Sequence, residues 1–182
     1  MTRLKALDPQ EATGRSKELF DGIQAKLGMV PNMMRTMGNS SAVLEGYLNL
    51  SDALGKGILG SKLGELIALT VAEANSCNYC LSAHSFIGEK LVKIDTDSLH
   101  LAREGKSNDP KIAAALTFAK SLVLKGGIVS NSDVEAVKSA GYSEGAIGEI
   151  VAHVALNVLT NYFNNTADTE IDFPVVSTAN IQ

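Results

Sequence analysis

The spacing of apolar residues is the feature that most restricts the fold of this chain. Valine and isoleucine are interspersed with alanine, leucine, glutamate and lysine, and apolar positions recur three and four residues apart, as at Leu63, Leu66 and Ile67. This spacing places them on one face of an α-helix, whereas a half-buried strand would need strict alternation. No segment carries a strand pattern of any length, so the sequence predicts an all-α fold.

Helix start and stop signals divide the chain into about eight predicted helices. Capping side chains or prolines precede the apolar runs, and glycines follow several of them. The first helix opens at Asp8-Pro9 and ends at Leu27; the others begin near residues 33, 41, 61, 77, 110, 132 and 143. Residues from about 168 to 182 form a tail, which has no periodicity from Phe173 onward. We therefore expect a compact bundle of about eight helices in one domain spanning residues 1–182.

The composition excludes several classes of protein. Of the 182 residues, 45% are apolar and 20% are charged, which is ordinary for a globular protein. A net charge of −4 and a pI near 5.4 provide no broad basic face, so no nucleic-acid partner is expected. The first ten residues lack the apolar core of a signal peptide, which favours a cytoplasmic location. Residues 150–167 are uncharged but rich in Asn and Thr, which predicts a buried helix and no membrane span.

The two cysteines of the chain form the motif Cys77-Asn78-Tyr79-Cys80. A loop this short cannot usefully stabilise a fold as a disulfide. In a reducing compartment, such a pair is more often a redox centre or half of a metal site. The motif is therefore the first candidate for chemistry.

His84 extends this motif along the helix that is predicted to start at the cysteines and run to about residue 91. Asn75 or Ser76 is the predicted cap of that helix. The spacing i, i+3, i+7 puts Cys77, Cys80 and His84 on one face. A thiol in the first turn, close to a histidine, is favoured as the reactive thiolate.

Glu65 lies on the preceding predicted helix, which begins near Ser61 and turns back just before the cysteines. An antiparallel arrangement would bring its carboxylate against His84 or Cys77. There it could orient the imidazole and relay a proton, a role typically worth about 10²–10⁴ in rate. One sulfur could then attack a peroxide and become a sulfenic acid, which the other would convert to a disulfide. The predicted helices over residues 61–91 thus carry the candidate site.

Two alternatives for the cysteines remain open. Cys77, Cys80 and His84 could be three zinc ligands, although no second CxxC or HxxxH supplies a fourth. The two cysteines could also be inert core residues, since cysteine is often buried. A haem attachment is not expected, because Leu81 stands where that motif requires histidine.

Two further sets of residues each have two interpretations. Polar residues at helical spacing on the last helix could be a hydrogen-bonded structural face, or a subunit interface or pocket wall. Four methionines could fill gaps in the core or line an adaptable substrate entrance. These residues are His153, Asn157, Thr160, Asn161 and Asn164 in the first set, and Met29, Met33, Met34 and Met37 in the second.

The complete pattern Glu-x11-Cys-x2-Cys-x3-His, formed by Glu65, Cys77, Cys80 and His84, resembles the signature of the AhpD-like alkylhydroperoxidases. These enzymes belong to the wider carboxymuconolactone decarboxylase superfamily. The resemblance extends from residues 30–32 to residues 161–164. It is greatest to the peroxidase-related branch, in which a tyrosine such as Tyr79 commonly stands between the cysteines, where the best-known AhpD enzymes have a second histidine. Gamma-carboxymuconolactone decarboxylases lack the cysteine pair, which counts against decarboxylation.

The resemblance implies a role for each motif residue. Cys80 would be the peroxidatic cysteine, Cys77 the resolving one, and His84 with Glu65 the proton relay. The helix dipole alone would instead favour Cys77 as the more acidic thiol, but its contribution of about 0.3–1 kcal/mol can be outweighed by burial and by His84. No metal or other cofactor is implied.

The predicted function is therefore thiol-dependent reduction of a hydroperoxide, with a small thiol or a partner protein as the reductant. A homo-oligomer, trimer or hexamer, is expected from the resemblance. The alternatives are a non-catalytic thiol redox sensor, a general thiol–disulfide oxidoreductase and, less favoured, a metal-binding protein.

Overall fold

The computed structural model describes residues 2–179, which form helices joined by short loops. The α-helices are Gly14–Leu27 (α1), Asn32–Met37 (α2), Ser41–Gly55 (α3), Gly60–Ala74 (α4), Asn78–Phe86 (α5), Thr96–Arg103 (α6), Pro110–Leu124 (α7), Asn131–Ser139 (α8) and Glu144–Ala167 (α9). A π-helical turn, Ile87–Leu91, continues α5 without a break. The described residues contain no strand, and the all-α prediction is confirmed.

Several helix ends lie where their capping residues predict them. The Ser143 hydroxyl accepts a hydrogen bond from Ala146 N–H (3.1 Å) at the start of α9. Asp109 accepts from two backbone N–H groups at the start of α7, where Pro110 occupies the first turn. Gly28 ends α1 with a φ of 76°, a left-handed conformation that suits glycine.

Other boundaries differ from the prediction. The helix expected from Asp8 begins only at Gly14, because the Asp8 side chain accepts from Gln10 N–H (2.8 Å) and closes a separate turn. Helix α6 was not predicted from the apolar pattern; it is short, and Asp95 caps it by accepting from Ser98 N–H (2.8 Å). With α6 included, residues 2–179 contain nine α-helices rather than eight. Helix α8, predicted to begin near residue 132, begins at Asn131 and is capped by Ser130.

Helix α4 lies at the centre of the molecule. It packs against α5, α6, α7 and α9, and every residue from Leu66 to Ala72 is buried. A stretch that is buried on every side, as residues 66–72 are, can only be stable inside the protein. The hydroxyl of its buried polar side chain, Thr70, lies within hydrogen-bond distance of two carbonyls, that of Leu66 within α4 (3.0 Å) and that of Ala102 on α6 (2.6 Å).

Helix α9 packs against α3, α4, α5 and α7. Its residues Ile150, Val154 and Asn161 are buried, whereas Leu159 and Tyr162 face outward. No helix within residues 2–179 has the length and apolar character needed to cross a bilayer.

The segment 168–179 is non-helical and folds back over α5. Its backbone N–H groups at Val176 and Thr178 donate to Ser82 and Asn78 on α5, both at 2.9 Å. The Phe173 ring packs edge-on against Tyr79, with 5.9 Å between the ring centroids. Residues 180–182 of the predicted tail lie outside the described residues.

Candidate active site

The cysteine pair lies at the junction between α4 and α5. Ser76 adopts a φ of 51°, so the chain turns sharply before the motif. Cys77 itself is the N-cap of α5, and its sulfur accepts from the N–H of Cys80 at 3.3 Å. The prediction that Asn75 or Ser76 caps this helix is therefore wrong, because the left-handed turn at Ser76 moves the cap one residue further.

The two sulfur atoms of the pair are at bonding distance and form a disulfide, with a Cα–Cα separation of 5.3 Å. Cys77 is fully buried, and Cys80 is only 2% exposed. The cysteine pair is therefore almost entirely shielded from bulk solvent.

Glu65 and His84 are brought together by the antiparallel packing of α4 and α5. The Oε2 atom of Glu65 lies 2.8 Å from Nδ1 of His84, and the side chains are 19% and 23% exposed. A carboxylate in this position accepts from Nδ1–H, which places the lone pair of the neutral imidazole on Nε2. Their spatial pairing agrees with the expected helix arrangement, while their catalytic roles stay predictions.

A pocket of about 370 Å³ lies between α2, α3, α4, α5 and α9. Cys80 lines it together with Glu65 and His84, whereas Cys77 is not among the residues of its wall. The remaining wall is mostly apolar and includes Leu27, Pro31, Leu54, Ala68, Ala83, Phe86, Ile87, Leu91, Leu156 and Phe173. This pocket can accommodate an apolar organic molecule beside the Cys80 sulfur.

The methionines divide between the two predicted roles. Met37 is buried in the core and does not reach the pocket. Met29, Met33 and Met34 line the pocket, and Met29 is 41% exposed at its edge. Flexible thioether side chains in such a wall can adapt to ligands of different shape.

The polar residues of α9 also divide between two roles. His153, Asn157, Thr160 and Asn164 line the pocket, as expected for one of the two interpretations. Asn161 instead accepts a hydrogen bond from the Asn75 side chain at 3.0 Å and has a structural role.

Asn164 makes the contact that sequence reasoning missed. Its Nδ2 atom donates to the Cys80 sulfur at 3.4 Å. The spacing of polar residues on α9 marked Asn164 as a wall candidate, but nothing in the sequence placed it at a sulfur 84 positions away. Among residues 2–179, it is Asn164, and not His84, that hydrogen-bonds this sulfur.

His153 lies at the part of the pocket where α9 passes the start of α4. A side chain at position 64 would come within 3.2 Å of its ring, so Gly64 provides the space that the imidazole occupies. Burial lowers the pKa of His153 below its ordinary value, although the carboxylates of Glu149 and Glu65 act in the opposite direction. The ring is therefore neutral at pH 7.

Tyr79, between the cysteines, serves the packing of α5. Its hydroxyl accepts a hydrogen bond from Met33 N–H at 3.1 Å, which ties α5 to the start of α2. Burial is the main cause that raises the pKa of this hydroxyl above its ordinary value, and the nearby Asp172 carboxylate adds to the effect. The group stays protonated at neutral pH and cannot replace a titrating histidine.

Within the described part of the chain, no group of three or more His, Cys, Asp and Glu side chains is arranged to hold a metal ion. The histidine outside the site, His100, lies on α6. Cys77, Cys80 and His84, which the motif left open as three zinc ligands, do not form such a group in this geometry.

Comparison with known proteins supports the assignment by motif. Residues 41–89 match the carboxymuconolactone decarboxylase family. This segment comprises α3, α4, α5 and part of the π-helical turn, and it includes all four motif residues. No curated protein matches the chain in sequence.

Solved structures resemble the chain over nearly its whole length. A peroxidase-related protein from Silicibacter sp. TM1040 is 25% identical, with a TM-score of 0.79 over 93% of this chain and 94% of that one. An AhpD-core peroxidase-related protein from Ralstonia eutropha JMP134 is 24% identical, with a TM-score of 0.83 over 94% and 92%. The debrominase Bmp8, solved as a cysteine-to-alanine variant with 2,3,4-tribromopyrrole, is 25% identical, with a TM-score of 0.79 over 94% and 92%. The segment that carries the motif thus matches the carboxymuconolactone decarboxylase family, and the fold of the described residues is similar to that of these peroxidase-related and AhpD-core structures.

Proposed function

We propose that this protein is a thiol-dependent hydroperoxide reductase that uses Cys80 as the attacking thiolate and Cys77 as the resolving thiol. One observation carries the proposal: the Cys80 sulfur lines an apolar pocket that also contains the Glu65–His84 pair, while Cys77 lies behind it at disulfide distance. A substrate in the pocket can reach Cys80 before it can reach Cys77. This geometry favours the family assignment of the two sulfurs over the assignment by the helix dipole.

The first half of the proposed reaction consumes the hydroperoxide. His84, held by Glu65, takes the proton of the Cys80 thiol. The thiolate attacks the terminal oxygen of the hydroperoxide, so that an S–O bond forms as the O–O bond breaks. The leaving alkoxide takes up the proton from His84 and departs as an alcohol, and Cys80 becomes a sulfenic acid.

The second half restores the enzyme. The Cys77 sulfur attacks the Cys80 sulfur and displaces hydroxide, which leaves as water with the Cys77 proton. Two thiols from a reductant then reduce the disulfide and are themselves oxidised to a disulfide. Sustained turnover with such a reductant separates an enzyme from a redox sensor, which would be oxidised once and change shape or partner.

A second candidate, reductive dehalogenation, is favoured by the apolar pocket and by the similarity to the debrominase Bmp8. The same two cysteines could supply its two electrons. Bromine would pass from carbon to the Cys80 sulfur, the carbon would take up a proton, and Cys77 would displace bromide as the disulfide closes. An aromatic bromide of pyrrole size is within the volume of the pocket.

The test is a free-thiol count on the reduced protein before and after one equivalent of cumene hydroperoxide. We expect rapid loss of both thiols, no such loss in Cys80→Ser, and trapping of a sulfenic acid in Cys77→Ser. If both thiols survive many equivalents of hydroperoxide, the peroxidase proposal is rejected.

A parallel sample with 2,3,4-tribromopyrrole, assayed for released bromide, tests the second candidate.

The hydroperoxide experiment also tests which sulfur is attacked. If the sulfenic acid is trapped in Cys80→Ser and not in Cys77→Ser, the assignment of the two sulfurs is reversed. Light scattering of the same preparation measures the oligomeric state, for which a trimer or hexamer is proposed.

A further inference from the structure

Asn164 is the polar side chain in contact with the proposed reacting atom. It is 3% exposed, lies on α9 facing the pocket, and donates from Nδ2 to the Cys80 sulfur at 3.4 Å. An amide N–H aimed at a sulfur stabilises the thiolate more than the thiol, because hydrogen bonds to charged groups are the stronger ones. This contact therefore favours the reactive form of Cys80.

The oxygen of the same amide takes no part in this contact. Within residues 2–179, the Oδ1 atom of Asn164 is buried and has no hydrogen-bond donor. A buried carbonyl without a donor destabilises the folded state, and native proteins rarely keep one without a reason. Here the orphaned acceptor belongs to a residue that lines the pocket, beside the sulfur where an O–H group would arrive.

Neighbouring contacts hold Asn164 in place. One turn earlier, Asn161 accepts from the Asn75 side chain at 3.0 Å, and Asn165 donates to the Asn75 carbonyl at 2.9 Å. Both contacts fasten α9 to the turn that precedes the cysteine motif. The amide is thus positioned before any substrate binds, as an electrostatic catalytic group must be.

We infer that Asn164 is a further catalytic residue: its Nδ2 donates to the Cys80 thiolate, and its Oδ1 accepts the O–H of the bound hydroperoxide and then that of the sulfenic acid. This inference rests on the proposed function for the acceptor role only. During the reaction, the hydroperoxide proton remains on the oxygen that is transferred, so the same O–H group passes from the substrate to Cys80-S-O–H while the S–O bond forms and the O–O bond breaks. Asn164 gives up no proton itself.

The donor role is tested without any hydroperoxide. In a Cys77→Ser background, which leaves Cys80 as the single thiol, the pH dependence of the iodoacetamide reaction reports the Cys80 thiolate. Loss of the Nδ2–H donor in Asn164→Leu is expected to move this profile upward by about one to two pH units. Asn164→Asp, which keeps the shape but adds negative charge, should move it at least as far.

The controls separate this effect from a disturbed helix. Tyr162→Ala removes an outward-facing side chain of α9 that is outside the pocket wall, and it should leave the profile in place. The titratable groups that share the pocket with Cys80 are Tyr47, Glu65, Tyr79, His84 and His153, and all are unchanged in these variants. Asn164→Asp, as an isosteric replacement, carries the test if Asn164→Leu does not fold.

The acceptor role is tested by the rate and yield of dimedone-trapped sulfenic acid in the same background. We expect both to fall in Asn164→Leu, even above the pH at which its Cys80 is fully ionised. Unshifted alkylation profiles, or an equal shift in Tyr162→Ala, would overturn the inference. If the profiles shift but the unaltered protein consumes no hydroperoxide, the peroxidase proposal and the acceptor role are both rejected, and the donor role stands.

Discussion

Replacement of Glu65 by glutamine would test the proposed proton relay. Glutamine keeps the shape of the side chain but loses the carboxylate that lies 2.8 Å from Nδ1 of His84. When His84 takes the proton of Cys80, the imidazolium that forms is stabilised by this carboxylate. Since both side chains are less than a quarter exposed, solvent screens the interaction only partly.

The size of the effect follows from that contact. A hydrogen bond to a charged group contributes about 1.5–3 kcal/mol, which corresponds to a roughly ten- to hundredfold slower reaction when it is lost. The assay is stopped-flow measurement of thiol loss in the fully reduced protein with excess hydroperoxide. It requires no reductant, so it reports the first oxidation step alone.

Glu73→Gln is the matched control. Glu73 lies on the same helix, is 13% exposed, and pairs with Nε of Arg103 at 2.7 Å, away from the pocket. Its replacement should lower stability and leave the rate of oxidation unchanged. An unchanged rate in Glu65→Gln would refute the relay, and an equal loss of rate in both variants would show that any broken ion pair on α4 has the same effect.

Three further predictions concern stability, each measured by urea unfolding. Because burial lowers the pKa of His153 below 6.5, protonation opposes folding, so stability should fall as the pH drops from 7 to about 5, and less so in His153→Gln. In Gly38→Ala, the added methyl group would collide with the buried ring of Phe20 and reduce the unfolding free energy by about 1–3 kcal/mol. The control is Gly22→Ala, in which the added methyl group meets no neighbour and should stabilise α1. Tyr79→Phe leaves a backbone N–H without its acceptor, and an unfolding free energy lower by about 1–3 kcal/mol is expected.

The parts of the site that the sequence predicted are those formed by residues close together along the chain. Glu65 and His84 are 19 residues apart on consecutive helices, so the turn between the helices is enough to bring them together. The starts of α7 and α9 were predicted near residues 110 and 143, because a capping side-chain oxygen and the three residues that follow it define a helix start. Cys77 as the cap of α5 was not predicted, since serine and asparagine are better caps and only the left-handed turn at Ser76 displaces them.

Long-range packing determined the parts that the sequence did not predict. Asn164 meets Cys80 because α9 crosses α5, and no periodicity within α9 specifies which of its neighbours it will face. Phe173 lies in a segment without a pattern, yet its ring packs on Tyr79 and closes part of the pocket. Helix α6 was missed because its few apolar residues gave a weak period, although Asp95 offered a readable cap.

The long separation between the cysteine motif and its surroundings has a consequence for biosynthesis. Cys80 meets Asn164, 84 residues later in the chain, and the segment 168–179 donates hydrogen bonds to α5 at separations of 94 and 100 residues. A ribosome adds about 5–20 residues per second, so the thiols leave it several seconds before the segments that bury them. During that interval the nascent chain presents two unprotected thiols to the oxidants and metals of the cell. The two thiols are therefore protected only when α9 and the segment 168–179 have been synthesised and have folded over them.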